Sequence, residues 1–204
     1  MKKVITVLLP IIVLTGCISP KTYVNPNFGK TSYNDIKSVA NRYNAEVQVE
    51  FQRNGKSLPA VNDEVRNHVE RTLRATGVIV PSLDESAYSI KVTVNNIADM
   101  SDAAAKGFGT GLTFGAVGTT VVDYYEVEIV YTDNKGNNLS KNYKHALHTT
   151  IGNEDAPFMN VAPTTTADAF GTVVEEVLLN FIADMQRDGK LTKINTFSIS
   201  IRNS

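Results

Sequence analysis

The chain has 204 residues, of which 42% are apolar and 20% charged, and a formal net charge of −1. That length and composition describe one ordinary domain with a real core and exclude a disordered chain. Near-neutral charge excludes the cationic footprint of a nucleic-acid binder, and a chain with no Trp and 8% aromatic residues offers little surface for base stacking.

The first residues read as a processing signal rather than as fold. Met1-Lys2-Lys3 is positive, and Val4 to Leu14 is an apolar run of signal-core length, too short for a permanent membrane span. Leu14-Thr15-Gly16-Cys17 follows and resembles the lipobox of bacterial lipoprotein signal peptides. The resemblance implies cleavage between Gly16 and Cys17, diacylglycerol on the Cys17 sulfur and an N-acyl chain; no other cofactor is expected. Cys17 is the only cysteine, so no internal disulfide is possible. Ile18 in the next position, by similarity to enterobacterial sorting signals, implies delivery to the outer membrane, facing periplasm or cell surface. Removing residues 1–16 takes Lys2 and Lys3 with it and leaves a mildly acidic mature chain.

Residues 17–33 read as the lipidated cysteine and a Pro- and Asn-rich tether, and 34–204 as a single domain. Ile36, Val39 and Ala40 suggest a short helix within 34–43. Ala45 to Phe51 alternates as a half-buried strand and ends at Asn54-Gly55. Pro59 to Thr76 reads as a helix, with Val61, Val65, Val69 and Leu73 on one stripe and Gly77 as its stop. Val78 to Val80 is a short strand closed by Pro81. Tyr88 to Val94 alternates, with Ile97 beyond it. Tyr125 to Tyr131 and Leu139 to Thr150 form a hairpin around Asp133–Gly136. Thr164–Thr166 and Asp168 cap a second helix, whose stripe runs from Phe170 to Met185 and ends at Gly189. Thr196 to Ile201 reads as a last strand or a tail for a partner. The order predicts an α+β fold: an antiparallel sheet with two main helices packed on one face, and one insertion.

That insertion is the glycine-rich segment 103–122. Gly107, Gly111 and Gly115 recur every four residues, flanked by Ala103 and Thr119, while Phe108, Leu112, Phe114 and Val117 lie opposite. Small residues at this spacing let helix backbones approach closely where water supplies no drive. The segment therefore reads as a glycine zipper at a membrane or oligomer interface, with Gly107, Gly111, Gly115, Phe108 and Leu112 as its contact residues. Its length suits one marginal span or a shallow re-entrant hairpin. The competing reading is a loop between two strands of a hairpin, with glycines for bends and close approach. Gly107-Phe-Gly109-Thr-Gly111 lacks the third glycine of a dinucleotide loop.

Catalytic and metal chemistry find little support. His145 and His148 are three apart in a predicted strand, which sends them to opposite faces, and zinc needs three or four ligands. His68 borders the first helical stripe. Glu126 and Glu128 share a solvated sheet face, and Glu175-Glu176 reads as the polar side of the second helix. No Gly-x-Ser-x-Gly elbow is present. No enzyme and no metal site are expected.

Two family resemblances follow from these parts. The lipobox, the helix over Asp63–Gly77 leading into Gly-Val-Ile-Val, the Tyr-rich alternating strand and the glycine zipper resemble, in that order, the TraT family of outer-membrane lipoproteins. "NNLSKNY" at Asn137–Tyr143 and "VLLNFIADM" at Val177–Met185 are similar to the YajG-type small lipoproteins. The first implies an oligomeric surface protein that blocks conjugation contacts and complement; the second implies the same location and no defined chemistry. The expected function is thus a membrane-anchored structural or interaction protein, self-associating through the glycine segment. A monomeric accessory or binding module of an envelope machine is the alternative, with an envelope protein as partner.

Overall fold

The computed structural model describes residues 20–82, 88–98 and 118–191. Seven strands form one mixed sheet: β1 (Lys21–Val24), β2 (Tyr43–Arg53), β3 (Lys56–Ser57), β4 (Ile79–Pro81), β5 (Tyr88–Ala98), β6 (Thr119–Thr132) and β7 (Asn138–Ile151). Two helices, α1 (Asn62–Thr76) and α2 (Thr166–Arg187), pack on one face, giving the expected α+β architecture. The spatial order is β1-β7-β6-β5-β2-β3, with β4 also on β2. Among the described residues no helix is long and apolar enough to cross a membrane.

Alternation decides which face is buried. Val47, Phe51, Ile90, Val92, Val94, Val127, Ile129 and Leu147 point to the helices, and Val173, Val174, Val177, Leu178, Phe181 and Ile182 of α2 meet them together with Val65, Val69 and Leu73 of α1. Each such side chain contributes about 1.5–3 kcal/mol through removal from water. On the opposite face Glu46, Gln48, Glu126 and Glu128 are exposed side chains, while Tyr23, Ala146 and Thr150 at one end of it are buried.

Local chemistry sets the ends of the helices. Gly77 ends α1 in the left-handed conformation at φ 65°. Thr165 caps α2: its hydroxyl accepts from the Asp168 N–H at 3.1 Å and donates to the Asp168 carboxylate at 2.7 Å. Gly171 brings the helices together, since a Cβ there would sit 2.6 Å from the His68 ring of α1.

The sheet is not antiparallel throughout. β2 runs parallel to both β4 and β5, which lie on its two edges. The connection from β2 to β4 carries α1, long enough for the crossover that parallel pairing needs. The short helix expected within 34–43 is a single 3-10 turn, Tyr33–Asp35. Part of the tether read over 17–33 is structured: Lys21–Val24 forms β1, paired with β7. From β1 the chain crosses over α2 to reach β2. Asn180 Nδ2 donates to the Phe28 carbonyl at 3.2 Å, and the Gln186 amide bonds both backbone groups of Lys37, at 2.6 and 2.9 Å.

Both edges of the sheet are covered along part of their length. On β2, Asn62 Oδ1 accepts from the Phe51 N–H at 2.8 Å, Arg66 donates to the Val47 carbonyl at 2.6 Å, and the Leu58 N–H donates to the Phe51 carbonyl at 2.8 Å. On β1, Thr22 and Thr164 exchange backbone hydrogen bonds at 3.2 and 2.8 Å. Polar edge groups satisfied in this way are closed to a further strand. We expect Asn62→Ala, which strips the partner from the Phe51 N–H, to destabilise the domain by about 1–3 kcal/mol. Thermal unfolding followed by circular dichroism checks this; an unchanged midpoint counts against edge capping by α1.

Candidate functional site

The register of β6 decides what leaves the sheet at which end. Thr120 pairs with Thr150 of β7, and Thr150 pairs on its other side with Lys21 of β1. Lys21 and Thr120 are therefore two strand spacings apart, about 10 Å. The segment between β5 and β6 also starts at this end, because Ala98 pairs with Asp123. The chain from Cys17 and the glycine-rich connection thus join the sheet at one end. Gly118, the last glycine of that connection, packs backbone to backbone on the loop after β7: a Cβ there would meet Asn153 and Glu154 main-chain atoms at 2.6 Å.

These flanks revise only the C-terminal bound of the glycine-rich segment. Thr119–Val122, counted within the glycine segment, belong to β6. β5 and β6 are antiparallel neighbours, so the connection between them leaves and rejoins the sheet at the same end. Gly107, Phe108, Leu112, Gly111 and Gly115, with Gly16 and Cys17, lie outside the described residues, as does the strand expected at Thr196–Ile201.

The two histidines of β7 part company as alternation requires. His145 is fully buried against α2, and its Nε2 lies 2.6 Å from Glu176 Oε2. Its Nδ1 accepts from the Ala146 N–H at 2.9 Å. That pattern assigns the proton to Nε2, which donates to the Glu176 carboxylate. Phe28 covers the ring, with centroids 5.2 Å apart, and the Gly29 backbone lies so close that a Cβ would land inside the Glu176 carboxyl group. Glu176, read from sequence as a solvent-facing residue, is instead the partner of a buried imidazole. This pair is enclosed and ties the 25–32 segment to α2; it offers no room for a substrate. His148 faces the other way. Its Nε2 lies 3.3 Å from Asn25 Nδ2, and its ring meets Phe158 edge-on at 4.8 Å. Burial holds the His148 pKa below the ordinary imidazole value. Burial, reinforced by Arg71, does the same to His68, against Glu64, Asp168 and Glu175. Among the described residues no three His, Cys, Asp or Glu side chains gather to hold a metal.

At the far end of the sheet lies a cleft of about 640 Å³. Tyr43, Tyr88 and Tyr131, from the ends of three neighbouring strands, form one wall; Asn138, Lys135 and Lys190 contribute polar groups. Tyr88 meets Tyr43 edge-on at 5.3 Å and stacks on Tyr131 at 6.0 Å. Burial, then the neighbouring Tyr88 and Tyr43 and Asp133, push the Tyr131 pKa well above the usual phenol value. An aromatic wall with amide and ammonium groups at its rim suits stacking and hydrogen bonding. The cleft was not foreseen. Its signal was present: Tyr88 and Tyr131 occupy the last inward positions of their alternating runs.

Two outcomes follow. Gly29→Ala should displace the Glu176 carboxylate and leave the His145 N–H without an acceptor, costing about 1–3 kcal/mol. Glu176→Ala should match it, while Glu176→Gln, which keeps an acceptor oxygen, should cost less; equal losses in Gln and Ala would count against the assigned bond. Second, the unfolded chain binds protons at His68 and His148 before the folded one does, because both folded pKa values are lowered. Stability should therefore fall as pH drops from 7.5 through about 6.5 toward 5.5, and His68→Gln with His148→Gln should flatten that fall. Unfolding midpoints across this pH range decide it.

No protein-family model matches the chain, and no curated protein matches it in sequence. Among solved structures it is similar to the dodecamer of a PelC variant from Paraburkholderia phytofirmans, at 10% identity over 78% of this chain and 95% of that one, with a TM-score of 0.36. It is similar to a Xanthomonas campestris protein of the DUF330 family, at 12% identity over 82% and 94%, TM-score 0.38. A minor lipoprotein from Acinetobacter baumannii aligns at 15% identity over 73% and 92%, TM-score 0.31.

Proposed function

We propose that this chain is an envelope lipoprotein, fixed to the outer membrane by acyl chains on Cys17, and that its domain is a structural or interaction protein rather than an enzyme. The observation that carries the reading is the pairing of Lys21 and Thr120 with the two sides of Thr150. It puts the end nearest Cys17 and the glycine-rich connection at one pole of the domain. Lys21 follows Cys17 by four positions, a reach of at most about 14 Å. Acyl chains on Cys17 would hold that pole at the bilayer and present residues 103–117 along the same plane. Close contact between small residues Gly107, Gly111 and Gly115 of adjacent copies is the self-association we infer. Covered sheet edges support this choice of contact, since they leave little room for strand addition.

A monomeric binding module is the second reading, favoured by the tyrosine cleft at the opposite pole. Size separates the two. The detergent-extracted, acylated chain should run as a large species, and Gly111→Leu should reduce it to a monomer; a monomeric wild type supports the binding module instead. Cys17→Ala should abolish acylation and release the protein from the membrane fraction, as read by mass spectrometry of the mature terminus and by fractionation.

A further inference from the structure

We propose that the apolar end of the uncovered sheet face rests on the lipid surface that holds Cys17. The proposal depends on the anchor reading above and adds which face of the domain meets the bilayer.

The open face changes character along its length. Toward the tyrosine cleft it carries Gln48, Lys91 and Val130 in one row and Thr93, Glu128 and Asn142 in another. The next row holds Asn95, Glu126 and Lys144, with Lys144 Nζ 3.5 Å from Glu126. Beyond that the charges stop. Ile97, Tyr124 and Ala146 form the following row, and Val122, His148 and Tyr23 the one after; Ala146 and Tyr23 are buried, at 1% and 4% exposure, which leaves Tyr124 with the half-buried Ile97 and Val122 at the surface. Tyr124 is 52% exposed in the middle of this apolar area. The loop after β7 folds onto the same face, since Phe158 packs on His148, and the residue beside it, Met159, is 92% exposed. Lys21 closes the area at its outer rim, exposed and on the same face as Tyr23.

Two observations name the occupant as lipid. The area reaches, at Lys21, the pole where the chain from Cys17 enters, and Lys21 is at most about 14 Å along the chain from Cys17. Its composition is that of an interfacial surface: a half-exposed tyrosine, an exposed flexible thioether, and a lysine at the rim able to reach phosphate headgroups. Met159 is 92% exposed in the domain, whereas at a bilayer it enters the headgroup boundary. The area is small, so it orients a domain that the acyl chains already hold; it does not anchor by itself.

The absence of Trp from the chain makes the test direct. Tyr124→Trp, Met159→Trp and Gln48→Trp, each in the full acylated chain, are reconstituted in vesicles of phosphatidylethanolamine and phosphatidylglycerol, with and without brominated acyl chains. Flotation and the mass of the mature terminus report the anchor separately. We expect emission from positions 124 and 159 to be blue-shifted and to fall roughly two-fold with brominated lipid, while position 48 is unaffected. If all three variants float and positions 124 and 159 are no more quenched than 48, the lipid contact is overturned and the anchor stands. A blue shift at 124 and 159 without quenching means that protein covers the area, and overturns the lipid contact as well. A chain that neither floats nor carries acyl mass overturns the anchor reading itself.

Discussion

The register between β6 and β7 is the constraint on which the other parts depend. Each of these strands is 14 residues long, and they pair from Thr119↔Ile151 to Thr132↔Asn138. Side chains alternate with a period of two, so a slip by one residue would turn Val127, Ile129 and Leu147 to water and Glu126 and Glu128 into α2. The same register places His145 under α2 opposite Glu176 and sends His148 to the open face. It also sets both poles: Thr120 beside the entering chain at one, Tyr131 beside the cleft at the other. Burial on one face thus determines which side chains reach the pole where the chain from Cys17 enters and which reach the cleft.

Much of the architecture was legible in the residues. Period-two runs located β2, β5, β6 and β7, and the period of four at Val61, Val65, Val69 and Leu73 located α1, where Gly77 supplies the left-handed stop. What failed was pairing, which depends on contacts far apart in sequence. Short connections suggested antiparallel neighbours everywhere, yet β2 and β5 are parallel, because α1 and β4 intervene before the chain returns. Lys21–Val24 looked like tether since four residues carry no periodicity worth reading; pairing with β7 makes them a strand. Thr119–Val122 looked like the end of an apolar helix, because Val and Thr suit a strand equally and only the partner Thr149 decides.

The polar interior was less legible for a related reason. Glu176 sits one position from the apolar stripe of α2, where a helical reading assigns it to solvent. Its carboxylate turns inward because His145, 31 residues earlier, brings a buried N–H that needs an acceptor. Gly29 then becomes intelligible: the chain crosses over that carboxylate with no space for a side chain. Neither residue announces the arrangement alone. The tyrosine cleft is similar, since Tyr43, Tyr88 and Tyr131 become one wall only when three strand ends are brought together.

The covered borders of the sheet bear on life in a crowded plane. Molecules tethered to one surface collide far more often than the same number dispersed in a volume, and bare strand borders would let such a population zip into ribbons. Here Asn62 and Arg66 occupy one border and Thr164 the other. Where those groups are satisfied no further strand can add, so in a tethered population neighbours pressed together at these positions would still separate, and a lasting assembly would have to form elsewhere on the domain.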